Sequence, residues 1–133
     1  MLRFLGIDYG EAKIGLALEN NEDRLSLPYK ILSEEDFFKQ IHSIIEDEEI
    51  NEIVVGLPMN MKNEETQQTG KTNIFIEKLK NVIDLPVYIE DERMTSIMGG
   101  KLIRSHGEKS KKQDDASAAS LILESFIRRK YGV

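Results

Sequence analysis

The sequence predicts an α/β domain: a mixed five-stranded sheet with helices on both faces. Three observations predict it. Three short apolar runs follow one another closely before residue 33, apolar runs then alternate with segments of helical period, and turn or cap residues punctuate the boundaries. Closely spaced strands suit an antiparallel meander, whereas later β-α-β alternation requires parallel strands with helical crossovers. At 133 residues the chain fits one domain, 1–133, large enough to bury a genuine core.

Each element has its own signal. Leu2 to Tyr9 is an apolar run closed by Asp8-Tyr9-Gly10 and reads as a largely buried strand. Ile14-Gly15-Leu16-Ala17-Leu18 follows a brief turn as its hairpin partner. Arg24 to Leu32 supplies a third strand, shortened or bent by Pro28. Ser33-Glu34-Glu35-Asp36 starts a helix, with Ser33 as cap and acids in the positive first turn. Phe37, Phe38, Ile41, Ile44 and Ile45 then recur at helical spacing to about Glu48. Ile53-Val54-Val55 marks a buried strand closed by Gly56-Leu57-Pro58. Residues 60–70 are polar and predict a loop, after which a helix runs through Ile74, Ile76, Leu79 and Val82 until Asp84-Leu85-Pro86 stops it. Pro86 to Glu90 is the fifth strand, and a third helix is expected from near Thr95 to before Gly107. Glu108 to Gln113 reads as a Lys-rich loop, and a last helix runs from about Asp114 to Arg129.

Apolar residues make up 40% and charged residues 32%, which excludes a disordered chain. No apolar run approaches the roughly 20 residues needed to span a bilayer. The opening apolar run ends at Asp8, too soon for a secretory signal. The absence of cysteine excludes a disulfide scaffold and a thiolate zinc site, and a cytoplasmic location is the simplest expectation.

The net charge of −6 is unevenly spread. Residues 1–92 hold nine basic and twenty acidic groups, whereas residues 93–133 hold nine basic and four acidic ones. Phosphate contacts need a local basic surface rather than a basic whole, so the asymmetry permits a nucleic-acid partner. Ordinary solvated helix faces are the competing explanation. The segment Arg104 to Lys112, with Lys109, Lys111 and Lys112, is the candidate for gripping a phosphate backbone.

Three acidic features could carry chemistry. Asp8 ends an otherwise apolar strand, where a carboxylate is costly to desolvate unless paired or bound to a cation; a turn-capping role is the plainer alternative. Glu90-Asp91-Glu92 closes the fifth strand, followed by Arg93, which could meet a phosphate. Carboxyl ends of strands are where open α/β sheets bind ligands. The third feature is Asp114-Asp115-Ala116-Ser117-Ala118-Ala119. At about 100° per residue, Ala118, Ala119, Ile122 and Phe126 fall within about 60° of Asp115. Asp115 therefore lies on the centre line of the apolar face, while Asp114 falls near Leu121 and Ser125, where a partnership with the helix dipole is enough to account for it. Acids from separated elements suit hard cations such as Mg²⁺ or Mn²⁺, and two such ions can serve phosphodiester cleavage. His42 and His106, the only histidines, lack zinc-ligand spacing.

Four segments then come together. Leu5-Gly6-Ile7-Asp8-Tyr9-Gly10 with Ile14-Gly15-Leu16-Ala17, Val54-Val55-Gly56-Leu57-Pro58-Met59-Asn60-Met61, Asp91-Glu92-Arg93-Met94-Thr95-Ser96, and Asp114-Asp115-Ala116-Ser117-Ala118-Ala119 resemble, in order and spacing, the YqgF/RuvX family. The resemblance spans nearly the whole chain. It implies a ribonuclease-H-like fold with strand order 3-2-1-4-5 and a metal-dependent nuclease acting at the 5′ end of pre-16S rRNA in ribosome biogenesis. It also carries the catalytic, metal-holding site onto Asp8, Glu92 and Asp115. The acidic runs themselves offer Asp91 and Asp114 as accessory candidates, and the charge distribution offers Arg93, Lys109, Lys111 and Lys112 toward substrate. The chain departs from the family after Met61, where Lys62-Asn63-Glu64-Glu65-Thr66 replaces the usual Asn-Gly-Thr-Glu-Gly.

Three alternatives compete. A Holliday junction resolvase-like DNA nuclease would use the same acids on branched DNA. Asp8-Tyr9-Gly10 also resembles the first phosphate motif of actin-like kinases, but those need two such domains and 133 residues hold one. A non-catalytic nucleic-acid-binding module could share the fold, although binding alone gains nothing from acids facing phosphate.

Overall fold

A computed structural model describes residues 2–10, 12–20, 26–58, 66–91 and 111–131, with side chains in the last span from residue 118. In chain order the elements are β1 (Arg3–Tyr9), β2 (Ile14–Asn20), β3 (Leu27–Leu32), α1 (Glu34–Asp47), β4 (Glu52–Leu57), α2 (Gln67–Val82), β5 (Val87–Asp91) and α3 (Lys111–Tyr131). The sheet has the order β3-β2-β1-β4-β5. β1, β2 and β3 pair antiparallel in sequence, while β4 runs parallel to both β1 and β5. This is the mixed five-stranded sheet and the order expected from the sequence.

Strand alternation divides the core into two layers. Leu5, Ile7, Leu16, Ile53 and Val55 pack beneath α1 and α2, meeting Phe37, Ile41, Phe75 and Leu79. Phe4, Ala17 and Val54 face the other way and are covered by Ala119, Ile122, Leu123, Phe126 and Ile127 of α3. β1 and β4 are thus covered on both faces, which is why they read as continuous apolar runs.

Local chemistry sets the boundaries. The Ser33 hydroxyl accepts the Asp36 N–H at 3.1 Å, capping α1 as its sequence suggests. α1 closes with Glu49 at φ 53° while the Ile50 N–H reaches back to the Ile45 carbonyl at 2.9 Å, the six-to-one bond of a Schellman ending. In β3 the register shifts so that Leu16 faces Lys30 and Ala17 faces Pro28. The bend falls beside the proline, on an edge strand where its missing N–H is tolerated.

Two expectations are corrected. The loop expected over 60–70 ends sooner, because α2 already begins at Gln67. Thr66 and Thr69 form a reciprocal cap, with the Thr69 N–H to Thr66 Oγ1 at 3.3 Å and the Thr66 N–H to Thr69 Oγ1 at 2.9 Å. The Lys-rich loop expected over 108–113 is likewise shorter, since Lys111, Lys112 and Gln113 belong to α3. Polar residues with good helix propensity carry no apolar period, so periodicity overlooks them. The helix expected between Thr95 and Gly107 lies outside the described residues.

Candidate functional site

The β1–β4 ladder runs from Phe4–Glu52 to Ile7–Val55 and goes no further, although β1 continues to Tyr9 and β4 to Leu57. The β4–β5 ladder, by contrast, persists to Leu57–Asp91. Asp8 therefore lies just past the last β1–β4 pair, at the carboxyl ends of parallel strands. The sheet order reverses here as well: β2 and β3 lie to one side of β1, and β4 and β5 to the other. A switch point of this kind forms a crevice at the carboxyl ends of the strands. Asp8 is half-buried there, and alternation places it on the α3 face together with Phe4 and Gly6.

α3 crosses β1 in the opposite direction. Phe4, near the start of β1, makes edge contacts with Phe126 and Tyr131 near the end of α3, at centroid distances of 6.4 and 6.1 Å. Two residues later, Gly6 lies against the preceding turns: a Cβ built there would stand 2.9 Å from the Ala119 carbonyl oxygen and 3.0 Å from Leu123 Cβ. Only glycine admits so close an approach. Two further strand residues rise about 6.7 Å, and four helical residues about 6 Å. The step from Gly6 to Asp8 thus corresponds to the step from Ala119 to position 115. The helix phase agrees for most of the stripe: Ala119, Ile122 and Phe126 are buried, Leu121 and Ser125, in phase with Asp114, are half-buried, and Ala118, at the edge of the stripe expected around Asp115, is half-buried too.

The first turn of α2 closes the same crevice from the other face. Gln68 Nε2 donates to the Tyr9 carbonyl at 3.3 Å, and the Thr69 hydroxyl donates to the Pro58 carbonyl. The Tyr9 ring stacks on Phe75 at 4.6 Å, and its hydroxyl donates to Glu34 Oε1 at 3.0 Å. Burial, then the hydrogen bond and negative charge of Glu34, hold the Tyr9 phenol above its ordinary pKa. Lys78 pairs with the other Glu34 oxygen at 3.4 Å. Gly10 completes the turn, since a Cβ there would meet the Lys13 carbonyl oxygen at 2.7 Å.

The acidic run closing β5 divides by face. Glu90 is buried on the α3 side, where Ser125 Oγ donates to one oxygen at 2.9 Å and Arg129 binds the other. Asp91, one residue on, is exposed and belongs by alternation to the opposite face. Glu92, Arg93 and Lys109 lie outside the described residues. Lys111, Lys112, Asp114 and Asp115 all fall within the first turns of α3, at the crevice end of that helix. Among the described residues no three acids, histidines or cysteines gather to hold a metal.

The cations of the final segment also divide. Arg128 pairs with Glu124 at 3.1 Å, Lys130 with Glu52 at 3.3 Å, and Arg129 with Glu90. Three of the nine bases after residue 92 are therefore matched by acids within the fold. The remaining six lie between Arg93 and Lys112 in the sequence. Sequence reasoning missed Gln68 and Thr69 altogether; the Thr66-Gln67-Gln68-Thr69 pattern was the available signal.

A family model described as RuvX, Holliday junction resolvase, matches residues 2–129. A protein of Maridesulfovibrio salexigens named "Putative pre-16S rRNA nuclease" is 33% identical over 96% of this chain and 99% of its own length. One of the same name from Rickettsia bellii is 38% identical over 92% of this chain and 84% of its own. Among solved structures, Thermus thermophilus RuvC superposes with a TM-score of 0.59 at 12% identity, covering 98% of this chain and 97% of that one. The yeast mitochondrial Holliday junction resolvase Ydc2 gives 0.57 at 11% identity, covering 98% and 79%. At such identities the likeness speaks for the fold, which is the ribonuclease-H-like one.

Proposed function

Given that the chain belongs to the RuvX family of Holliday junction resolvases, we propose that it is a divalent-metal-dependent nuclease whose substrate is the 5′ end of pre-16S rRNA. One observation supports the reading: α3 runs against β1, with Phe4 against Phe126 and Gly6 against Ala119, and the same course continued would carry position 115 toward Asp8. The third acid follows from alternation. Strand alternation continued by one residue would assign Glu92 to the face that Asp8 and Glu90 share, while Glu90 is already engaged by Ser125 and Arg129. Asp8, Glu92 and Asp115 are then the catalytic set, with Asp91 and Asp114 as accessory acids.

An all-carboxylate donor set suits Mg²⁺ or Mn²⁺ rather than zinc. When bound, such ions activate water and stabilise the leaving oxygen of a phosphodiester. The chain's own contribution is to hold three carboxylates in a crevice closed by packed elements on either face. Arg93, Lys109, Lys111 and Lys112 bind the substrate's phosphates, since the later cations are matched within the fold. The name shared by the relatives favours precursor rRNA, and with it a cytoplasmic setting. Among the described residues no helix is long and apolar enough to cross a membrane.

The test is cleavage of precursor 16S rRNA and of a branched DNA junction in parallel, with Mg²⁺ or Mn²⁺ and with chelator. Metal-dependent trimming of the rRNA, lost in Asp8→Asn at an unchanged or higher melting temperature, is expected, because gathered acids repel one another without a cation. Preferential junction cleavage would transfer the function to DNA. Binding without cleavage of either substrate would leave a nucleic-acid-binding module.

A further inference from the structure

We propose that Gln68 is a positioning residue for Asp8, and that Thr69 performs the same office for the end of β4. The inference rests on the proposed metal site and adds residues that neither the acidic pattern nor the relatives' names supply. Beyond the Ile7–Val55 pair, the β1–β4 ladder makes no further registered pair. Two side chains from one helical turn reach the two strands past that point. Gln68 Nε2 holds the carbonyl of Tyr9, the residue directly after Asp8, at 3.3 Å. The Thr69 hydroxyl holds the carbonyl of Pro58, directly after β4.

The turn that carries both donors is itself anchored. Thr66 and Thr69 cap each other, and Thr72 Oγ1 donates to the Gln68 carbonyl at 2.9 Å. Thr69 and Thr72 are fully buried at positions where a helix facing a sheet would ordinarily place apolar side chains. Phe75, one turn further, stacks on the ring of Tyr9. The main chain at Asp8 is therefore gripped by α2 at the carbonyl and the ring of the next residue. This spacing of the strand ends sets where the Asp8 carboxylate stands relative to the elements carrying its partners. Gln68 touches neither phosphate nor metal in this account; it acts through the backbone of β1.

Gln68→Glu keeps length and removes the donor, and Gln68→Ala removes the reach. Thr69→Val keeps shape and removes the hydroxyl, with Thr69→Ser as the conservative rescue. Mn²⁺ titrated into the whole chain, followed calorimetrically, should bind about tenfold more weakly in Gln68→Ala and Gln68→Glu, the scale at which groups supporting a metal's ligands act. kcat on precursor rRNA should fall by a similar factor with KM unchanged, and metal-free amide resonances of Tyr9 and Gly10 should move. The melting temperature should hold, since the Gln68 bond is only part-buried. Thr69→Ser should retain the behaviour that Thr69→Val loses.

Wild-type Mn²⁺ affinity and kcat in both Gln68 variants would overturn the inference while leaving the nuclease reading intact. So would losses that merely track a lowered melting temperature. If the unaltered chain bound no Mn²⁺ and cleaved neither substrate, the nuclease reading would fail first, and the inference with it.

Discussion

Replacing Gly6 with alanine tests the contact on which the site's geometry depends. The added methyl would stand 2.9 Å from the Ala119 carbonyl oxygen, 3.0 Å from Leu123 Cβ and 3.3 Å from Leu123 Cδ2. Ordinary contact begins at 3.4 Å, so α3 must retreat by roughly half an ångström, and the nearest atom is backbone that cannot rotate away. Overpacking of this kind costs about 1–3 kcal/mol. At roughly 3–4 °C per kcal/mol for a chain of this length, the melting temperature should fall by roughly 3–12 °C. Retreat of α3 also carries position 115 away from Asp8. Since a misplacement of about 1 Å can lower a rate about 100-fold, a tenfold loss of kcat is a reasonable scale for half that shift. Differential scanning calorimetry and a metal-saturated cleavage assay read the two effects. Gly70→Ala is the internal control: nothing lies within 4 Å of its added methyl, and alanine in a helix should raise stability by about 0.5–1 kcal/mol. A Gly6→Ala protein that melts like wild type refutes the close approach. One that melts lower yet cleaves at the full rate refutes the coupling between α3 packing and the site.

Two further outcomes are expected. Lys109, Lys111 and Lys112 changed together to alanine should weaken RNA binding and make log affinity against log salt shallower by about 2 if all three meet phosphate. Filter binding over a salt series measures it, while Arg128→Ala, whose partner is Glu124, should leave the slope alone; an unchanged slope in the triple variant would mark those lysines as solvated surface. Alkaline pH should destabilise the fold. Burial and Glu34 raise the Tyr9 pKa, and burial with Glu48 and Asp47 raises that of Tyr29. The Lys130 pKa is raised by its Tyr88 and Glu52 partners against a smaller opposing effect of burial. All three bind their protons more tightly folded than unfolded, so their stabilisation is complete below pH about 10 and is lost as pH rises through the raised values. Urea titrations at pH 8 and pH 10.5 should therefore give a lower midpoint at the higher pH; equal midpoints would contradict the three shifts together.

Much of this architecture was legible because burial on two faces leaves continuous apolar runs, as in Phe4 to Ile7 and Ile53 to Val55. Ser33 announced α1 because a cap is a local bond between neighbours in sequence. The inward stripe of α3 followed from period alone, and Ala119, Ile122 and Phe126 are buried as that period requires. What stayed hidden was bonding between distant residues. Nothing local distinguishes Glu90 from Asp91; the difference lies in Ser125 and Arg129, more than thirty residues away. Likewise the start of α2 read as loop because Thr69 and Thr72 occupy buried positions through hydrogen bonds rather than apolar contact. The polar lysines opening α3 read as loop for a similar reason. The candidate site was legible as a set of acids, and its crevice was not, because a crevice depends on where a ladder between strands fifty residues apart comes to an end.

Among the described residues one helix, α3, covers the second face, and this has a consequence for synthesis. Every described residue of the layer beneath α1 and α2 has been made by residue 91, and that half of the core can consolidate as the chain emerges. Phe4, Ala17, Val54 and Tyr88, however, find their apolar partners in α3, more than thirty residues after the last of them and beginning at Ala119. At roughly 5–20 residues per second, the nascent chain presents a finished sheet with one greasy side uncovered for about a second or more. During that interval the surface is open to other chains and to holding factors, and contacts as distant in sequence as Phe4 and Tyr131 are slow to close. The helix that carries Asp115 is thus also the cover whose late arrival ends this surface's exposure to aggregation.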